Sequence, residues 1–160
     1  MSVSIAPIVG TPSGVDPRGP QLTAAITAVV LATVLVVPAS AATVLVGVQA
    51  VLFAIGALGG VQRTPHAWVF RRLVRPRLSP PAELEDPRPP QFAQAVGLAF
   101  TAVAFVGFLA GATVVGQVAT GFALAAALLN AVFRFCLGCE LYLLTQRLRP
   151  TRPTATAAAG

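Results

Sequence analysis

Residues 42–61 read ATVLVGVQAVLFAIGALGGV, twenty residues without a single charge. A helix of about 20 apolar residues crosses the roughly 30 Å hydrocarbon layer of a bilayer, so this stretch reads as a membrane span. A first block, about 21–40, runs from Leu22 through Val37 into Pro38. A third covers about 92–112, beginning at Phe92. A fourth, placed at about 116–140, starts near Gly116 and stays apolar as far as Leu144 except for Arg134 and Glu140. The expected fold is an all-α membrane protein with four transmembrane helices, occupying residues 16–148 between disordered tails at 1–15 and 149–160.

Composition agrees with that reading. Over 160 residues, 56% are hydrophobic and 10% charged, against about 25% charged in ordinary soluble domains, and the mean hydropathy is +0.80. This composition argues against a large extramembrane catalytic domain. The net charge is +6, and all eleven basic residues are Arg. In a nucleic-acid binder they would form a patch on a water-exposed face. Here they flank apolar blocks, where cations set orientation and touch anionic headgroups. The bilayer is therefore the expected partner and nucleic acid is not.

The links on one side are short and uncharged: Pro38-Ala39-Ser40, and the residues from Ala112 to Val115. The other side carries the loop 62–90, with Arg63, Arg71, Arg72, Arg75, Arg77 and Arg88, and the tail with Arg147, Arg149 and Arg152. The positive-inside rule makes that side cytoplasmic, which places both termini in the cytoplasm. A competing reading takes the first block and Ala39-Ser40-Ala41 as a cleavable signal peptide, but the preceding residues lack a positively charged region. An internal repeat also argues for retention. Asp16-Pro17-Arg18-Gly19-Pro20-Gln21 before the first span matches Asp86-Pro87-Arg88-Pro89-Pro90-Gln91 before the third at five of six positions. Weaker matches align the second members, with Val46-Gly47 answering Val115-Gly116 and Phe53-Ala54 answering Phe122-Ala123. The chain reads as two parallel-repeat helical hairpins.

Each preamble suits a helix start, because proline belongs in the first turn and a carboxylate favours the positive end of the helix dipole. Asp16, Arg18, Asp86 and Arg88 are also candidate binding residues, as two symmetry-related Asp-Pro-Arg segments. Small-residue pairs, Gly56 with Gly60, Gly107 with Gly111 and Ala123 with Ala127, fit close helix packing and homo-oligomerisation equally. In the loop, Pro65 to Arg75 reads as a short interfacial helix, with Trp68, Val69, Phe70, Leu73 and Val74 toward lipid and the arginines toward headgroups. Pro76 to Pro90 reads as an extended connector. The single His66 has no ligand-spaced partner.

The only two cysteines form Cys136-Leu137-Gly138-Cys139, followed by Glu140. On a continuous helix Cys139 lies about 60° from Cys136 and Glu140 about 40° to the other side, so two thiols and a carboxylate share one face. Asn130 and Arg134 fall on another face unless the helix kinks at Gly138. Three readings stand side by side. A C-x-x-C can cycle between dithiol and disulfide, with Glu140 handling the proton. Two thiolates and a carboxylate can bind a soft metal, although a closed zinc site needs about four ligands. Small apolar cysteines can also simply pack. A cytoplasmic position, where thiols are kept reduced, argues against a permanent structural disulfide. The candidate catalytic residues are Cys136, Cys139 and Glu140, with a soluble thioredoxin-like or sulfur-transfer protein as partner. Nucleotide-binding, Ser-His-Asp, zinc-protease and haem-attachment motifs are missing, so no cofactor is expected.

The two preambles, Pro81-Ala82-Glu83-Leu84-Glu85-Asp86-Pro87-Arg88 and above all Phe135-Cys136-Leu137-Gly138-Cys139-Glu140 resemble an uncharacterised family of bacterial membrane proteins, domain of unknown function 4395, from about Asp16 to Arg147. The resemblance implies an integral membrane protein, commonly actinobacterial. Its cysteine motif implies a thiol role without specifying a substrate or reaction.

Overall fold

A computed structural model describes residues 14–148; the expected tails at 1–13 and 149–160 lie outside the described residues. Among the described residues six α-helices form: α1 Arg18–Val36, α2 Ala39–Gly59, α3 Pro65–Val69, α4 Arg88–Leu109, α5 Thr113–Phe133 and α6 Leu137–Leu148. Four of them, α1, α2, α4 and α5, have 19 to 22 residues and are long and apolar enough to cross a membrane. At 1.5 Å per residue they extend about 28–33 Å, which matches the hydrocarbon thickness.

Helix boundaries follow from local chemistry. α1 stops at Val36 because Val37 precedes Pro38 and is extended, with ψ 161°, as the proline ring requires of its predecessor. Pro38 then leads into α2. α4 starts with Pro89 and Pro90 in its first turn, where their missing N–H groups would have had no helical partner. The fourth span ends at Phe133, earlier than the 140 expected from hydropathy, and α6 begins only at Leu137. Between them Arg134 adopts a left-handed conformation, φ 56° and ψ 24°, a turn that hydropathy does not encode. The excess length of the last apolar block thus becomes a separate helix packed against α4.

The exterior of the bundle is greasier than its interior. Leu58 is 85% and Val36 81% exposed, whereas Gln49 is 1% and Thr101 and Thr120 are 0% exposed. Lipid-facing aliphatics surrounding a core with small and polar groups are characteristic of membrane bundles. Thr101 and Thr120 donate to the carbonyls of Gly97 and Gly116 at 2.8 and 2.7 Å, and Gln49 Nε2 donates to Thr27 Oγ1 at 3.3 Å.

Packing is tight at the short-link end, where Val34, Ala42, Val46, Ala104, Phe108 and Ala119 form one core cluster. A Cβ on Gly107 would lie 2.8 Å from the Gly116 backbone nitrogen, so α4 and α5 approach there almost backbone to backbone. Their partners in the expected small-residue pairs behave otherwise. Gly60 and Gly111 sit in turns at φ 92° and 74°, conformations that glycine adopts without steric cost, and supply no packing surface.

Neighbour relations have a reciprocal pattern. α1 packs on α5 and α2 on α4. Gln21 Nε2 donates to the Ala131 carbonyl at 3.0 Å, while Gln91 Nε2 donates to the Ala57 carbonyl at 2.8 Å. Val15 and Glu85, one residue before each Asp-Pro-Arg, exchange N–H···O bonds of 2.9 and 3.0 Å. The expected interfacial helix is shorter than 65–75: α3 covers five residues and then widens into a π-turn over Phe70–Val74. Trp68 is exposed, but Phe70 turns inward and is buried against Gly19, so it contributes to the core rather than to the lipid contact expected of it.

Candidate functional site

Cys136 occupies the position immediately before α6 rather than a place on a continuous helix. This arrangement follows from Arg134: the left-handed residue ends α5, residues 134–136 are non-helical, and the chain restarts as α6 in a new direction. The Cys139 N–H then points back to Cys136 Sγ at 3.3 Å, and the Glu140 N–H donates to the Cys136 carbonyl at 3.0 Å. Cys136 therefore caps a twelve-residue helix with its sulfur. A helix N-terminus offers unpaired N–H groups and partial positive charge, which stabilise a thiolate.

The two sulfurs are bonded to each other. Cys136 and Cys139 form a disulfide with their Cα atoms 5.2 Å apart, within the usual span for such a bond. Both residues are partly buried, and Glu140 lies exposed in the first turn of α6. The shared helical face expected for the three residues does not exist, because Cys136 is off the helix. α6 is seated by Gly138, where a Cβ would come within 2.6 Å of Ala93 Cα on α4.

Cys136 also lines a cavity of about 670 Å³ walled by α1, α2, α4, α5, α6 and the loop. Its walls are mostly apolar, with Phe53, Phe70, Phe100, Phe122 and Leu141; Thr27, Gln94 and Asn130 add polar groups, and Asp16, Arg71 and Arg75 add charge. Asn130 was expected on a surface away from the cysteines; the break at 134–136 brings both to one cavity. The signal that would have identified this wall lies in the spans themselves, because amides within apolar helices face the bundle interior. Among the described residues, neither the Gln94 nor the Asn130 side chain has a hydrogen-bond partner. Their amide donors therefore remain free.

The two Asp-Pro-Arg segments lie side by side through the Val15–Glu85 pair but differ chemically. Asp16 is buried and accepts from Arg18 Nε at 2.9 Å and Arg18 Nη2 at 2.8 Å, and Arg18 also reaches the Ser79 carbonyl at 3.0 Å. The Arg18 hydrogen bonds hold the Asp16 carboxyl below its ordinary pKa of 3.8, against the opposing effect of burial, with the charge of Arg75 assisting. Asp86 is exposed, and its carboxylate accepts only from the Arg88 backbone N–H at 2.9 Å. Asp16 lines the cavity near Arg71 and Arg75. Burial lowers the pKa of His66 from 6.5. Among the described residues no group of three or more His, Cys, Asp or Glu side chains is placed to hold a metal ion.

Helices of this length and polarity, arranged greasy side out, define an all-α multi-pass membrane protein. The chain belongs to the family described as Domain of unknown function (DUF4395), whose model matches residues 15–147. No curated protein and no solved structure matches the chain.

Proposed function

We propose that the protein is a membrane-embedded thiol–disulfide exchange protein working through Cys136 and Cys139. The observation that carries this reading is the bonded pair at the start of α6, with one sulfur serving as the helix cap. An incoming partner thiolate attacks Cys136 Sγ, forming a mixed disulfide while Cys139 leaves as a thiolate and takes up a proton. A second partner thiol, deprotonated, then attacks its own sulfur in the mixed disulfide. Cys136 is released as a thiolate facing the α6 N-terminus, and the partner leaves oxidised. The two electrons lost by the partner reside in the two cysteine thiols. Glu140, exposed one residue beyond Cys139, serves as the proton relay to solvent.

The Arg-rich end, which carries the loop and α6, is assigned to the cytoplasm of a bacterial plasma membrane by the positive-inside rule. Both termini lie on that side in this reading, and the partner is a soluble thioredoxin-like or sulfur-transfer protein. Cytosolic disulfides are usually transient and catalytic, so a bonded pair there is a turnover state rather than a structural staple. We further propose that the bundle is a twofold repeat of parallel hairpins. The exchanged hydrogen bonds of Val15 with Glu85 and the matching reach of Gln21 and Gln91 across the bundle support this reading. Acid-quenched cells, alkylated and analysed for label, test the exchange: the cysteine pair is expected to shift toward disulfide after diamide and toward dithiol after dithiothreitol. A pair that holds one state under both treatments overturns the proposal.

A further inference from the structure

The cavity behind Cys136 lies largely within the spans. It runs from Cys136 and Asp16 at the loop end down to Thr27, Phe100 and Phe122, with predominantly apolar walls. Its volume of about 670 Å³ falls in the roughly 300–1,000 Å³ range of small-molecule sites. Its charged groups, Asp16, Arg71 and Arg75, belong to the loop end, whereas the deeper walls favour a ligand with an apolar body, and a soluble protein cannot enter them. Gln94 and Asn130 contribute two amide groups whose donors are unused among the described residues. Both side chains are part-buried, and a ligand seated against their N–H groups gains by carrying acceptor oxygens.

A second feature narrows the ligand further. Phe100 and Phe122 line the cavity, are exposed on the outer flank of the bundle, and stack with ring centroids 6.1 Å apart. The same two rings line a groove of about 360 Å³ on that flank, completed by Val103, Val114, Val115, Val118 and Ala119. The groove is wholly aliphatic and aromatic, and it continues from the cavity toward the short-link end. A ligand spanning both features therefore has a compact head with acceptor oxygens and an aliphatic tail that leaves between α4 and α5 into lipid.

We propose that this composite site takes a membrane quinone, with its ring in the cavity between Gln94, Asn130 and Cys136 and its isoprenoid tail in the outer groove. This assignment rests on the thiol-exchange reading and names where the electrons go. The reduced pair is reoxidised in two steps. Cys136, having given its proton to solvent, adds as thiolate to a ring carbon of the quinone, and the reduced ring takes up one proton. Cys139, deprotonated, then attacks Cys136 Sγ; the S–C bond breaks, its electron pair stays on the ring, and a second proton completes the hydroquinone. Two thiols and one quinone become one disulfide and one hydroquinone, with the two S–H protons balanced by the two new O–H groups.

The test uses the full-length protein in phosphatidylglycerol/phosphatidylethanolamine nanodiscs, with decylubiquinone as probe. After dithiothreitol is removed from the reduced protein, added decylubiquinone is followed by its ultraviolet absorbance, and the thiols are counted by alkylation. The expected result is one hydroquinone formed per two thiols lost. Gln94→Leu is expected to raise the half-saturating quinone concentration about tenfold, the size of one lost hydrogen bond to a carbonyl. Ala126→Phe, which fills the cavity, is expected to slow the reaction at least tenfold, with helix content and monodispersity showing that this variant folds. Thiols that cycle with dithiothreitol and diamide but never reduce decylubiquinone overturn the quinone site and leave the exchange reading standing. Thiols inert to dithiothreitol and diamide overturn the exchange reading itself. Binding without electron transfer, as an acyl chain would show, also overturns the quinone proposal, and so does a reaction indifferent to both cavity variants.

Discussion

The two hairpins reach the Arg-rich end in parallel and then diverge. After α2 the chain turns at Gly60 and starts α3 at Thr64, whose hydroxyl accepts the Ala67 N–H at 3.2 Å. After α5 it turns at Arg134 and starts α6 at Cys136, whose sulfur accepts the Cys139 N–H at 3.3 Å. α3 packs against α1 and leads into Phe70, which covers Gly19; α6 packs against α4, with Gly138 on Ala93. The Thr64 hydroxyl caps its helix and donates to the Val61 carbonyl at 2.9 Å. A sulfur there, with a second sulfur one turn on, caps and can also exchange a covalent bond. The first half is thus an internal control for the second, separating what the architecture needs from what the chemistry adds.

The sharpest contrast comes from altering the two caps one at a time. Cys136→Ser retains a capping oxygen, so the folded bundle is expected to persist while redox cycling is lost completely, read as Cys139 alkylation that no longer responds to diamide. Thr64→Ala removes the other cap and is expected to cost about 1 kcal/mol, measured as a lower melting temperature in detergent. Equal losses of thiol cycling in the two variants would erase the distinction between the halves.

Next in size are the two glycine seats. A Cβ on Gly138 meets the Ala93 backbone at 2.6 Å, whereas one on Gly19 meets the flexible Phe70 ring at 3.4 Å. Gly138→Val is therefore expected to destabilise by about 1–3 kcal/mol through overpacking and to displace α6, raising the alkylation rate of the reduced cysteines. Gly19→Ala is expected to be neutral or to stabilise by up to about 1 kcal/mol, because glycine inside a helix is disfavoured. Thermal unfolding of both variants checks the asymmetry.

The turns give an oppositely signed pair. Gly60 at φ 92° and ψ 147° lies where side chains are strained, so Gly60→Ala is expected to cost about 1–3 kcal/mol. Arg134 already bears a left-handed penalty, and Arg134→Gly is expected to recover about 1 kcal/mol. Melting temperatures moving in opposite directions are the expected readout.

The smallest effect separates the Asp-Pro-Arg segments by pH. The folded-state pKa of Asp16 is depressed, so its stabilising contribution is present above the ordinary value near 3.8 and is lost as pH falls through the depressed value. Asp16→Asn is expected to lower the melting temperature at pH 7 and to flatten the decline toward pH 3. Asp86→Asn, with only a backbone N–H to lose, is expected to change both less.

The spans and the greasy exterior were legible in the sequence because apolar length is dictated by bilayer thickness, and composition alone carries that information. The C-x-x-C spacing of the two cysteines was legible as well, but not whether they bond, bind a metal or pack. Their setting was not, because it depends on one arginine in a conformation that arginine seldom adopts. Hydropathy carried the fourth span through Arg134 and put Cys136 on a helical face beside Glu140, when it is the residue that starts the next helix. The cavity was hidden for a related reason: Asn130 and Cys136 meet only across that break, and Gln94 reaches the same space from α4. Likewise the two Asp-Pro-Arg copies are nearly identical as text, yet burial and a bidentate ion pair distinguish Asp16 from Asp86.

The central claim, that Cys136 and Cys139 form a single exchangeable two-electron couple, is tested most directly by equilibrium redox titration in native membrane vesicles. Vesicles are poised across mixtures of reduced and oxidised dithiothreitol, quenched, and scored by the mass added on alkylation. The account predicts one reversible transition in which two labels appear together. A population carrying one label, or a pair that stays fully labelled or fully unlabelled across the whole range, would contradict it.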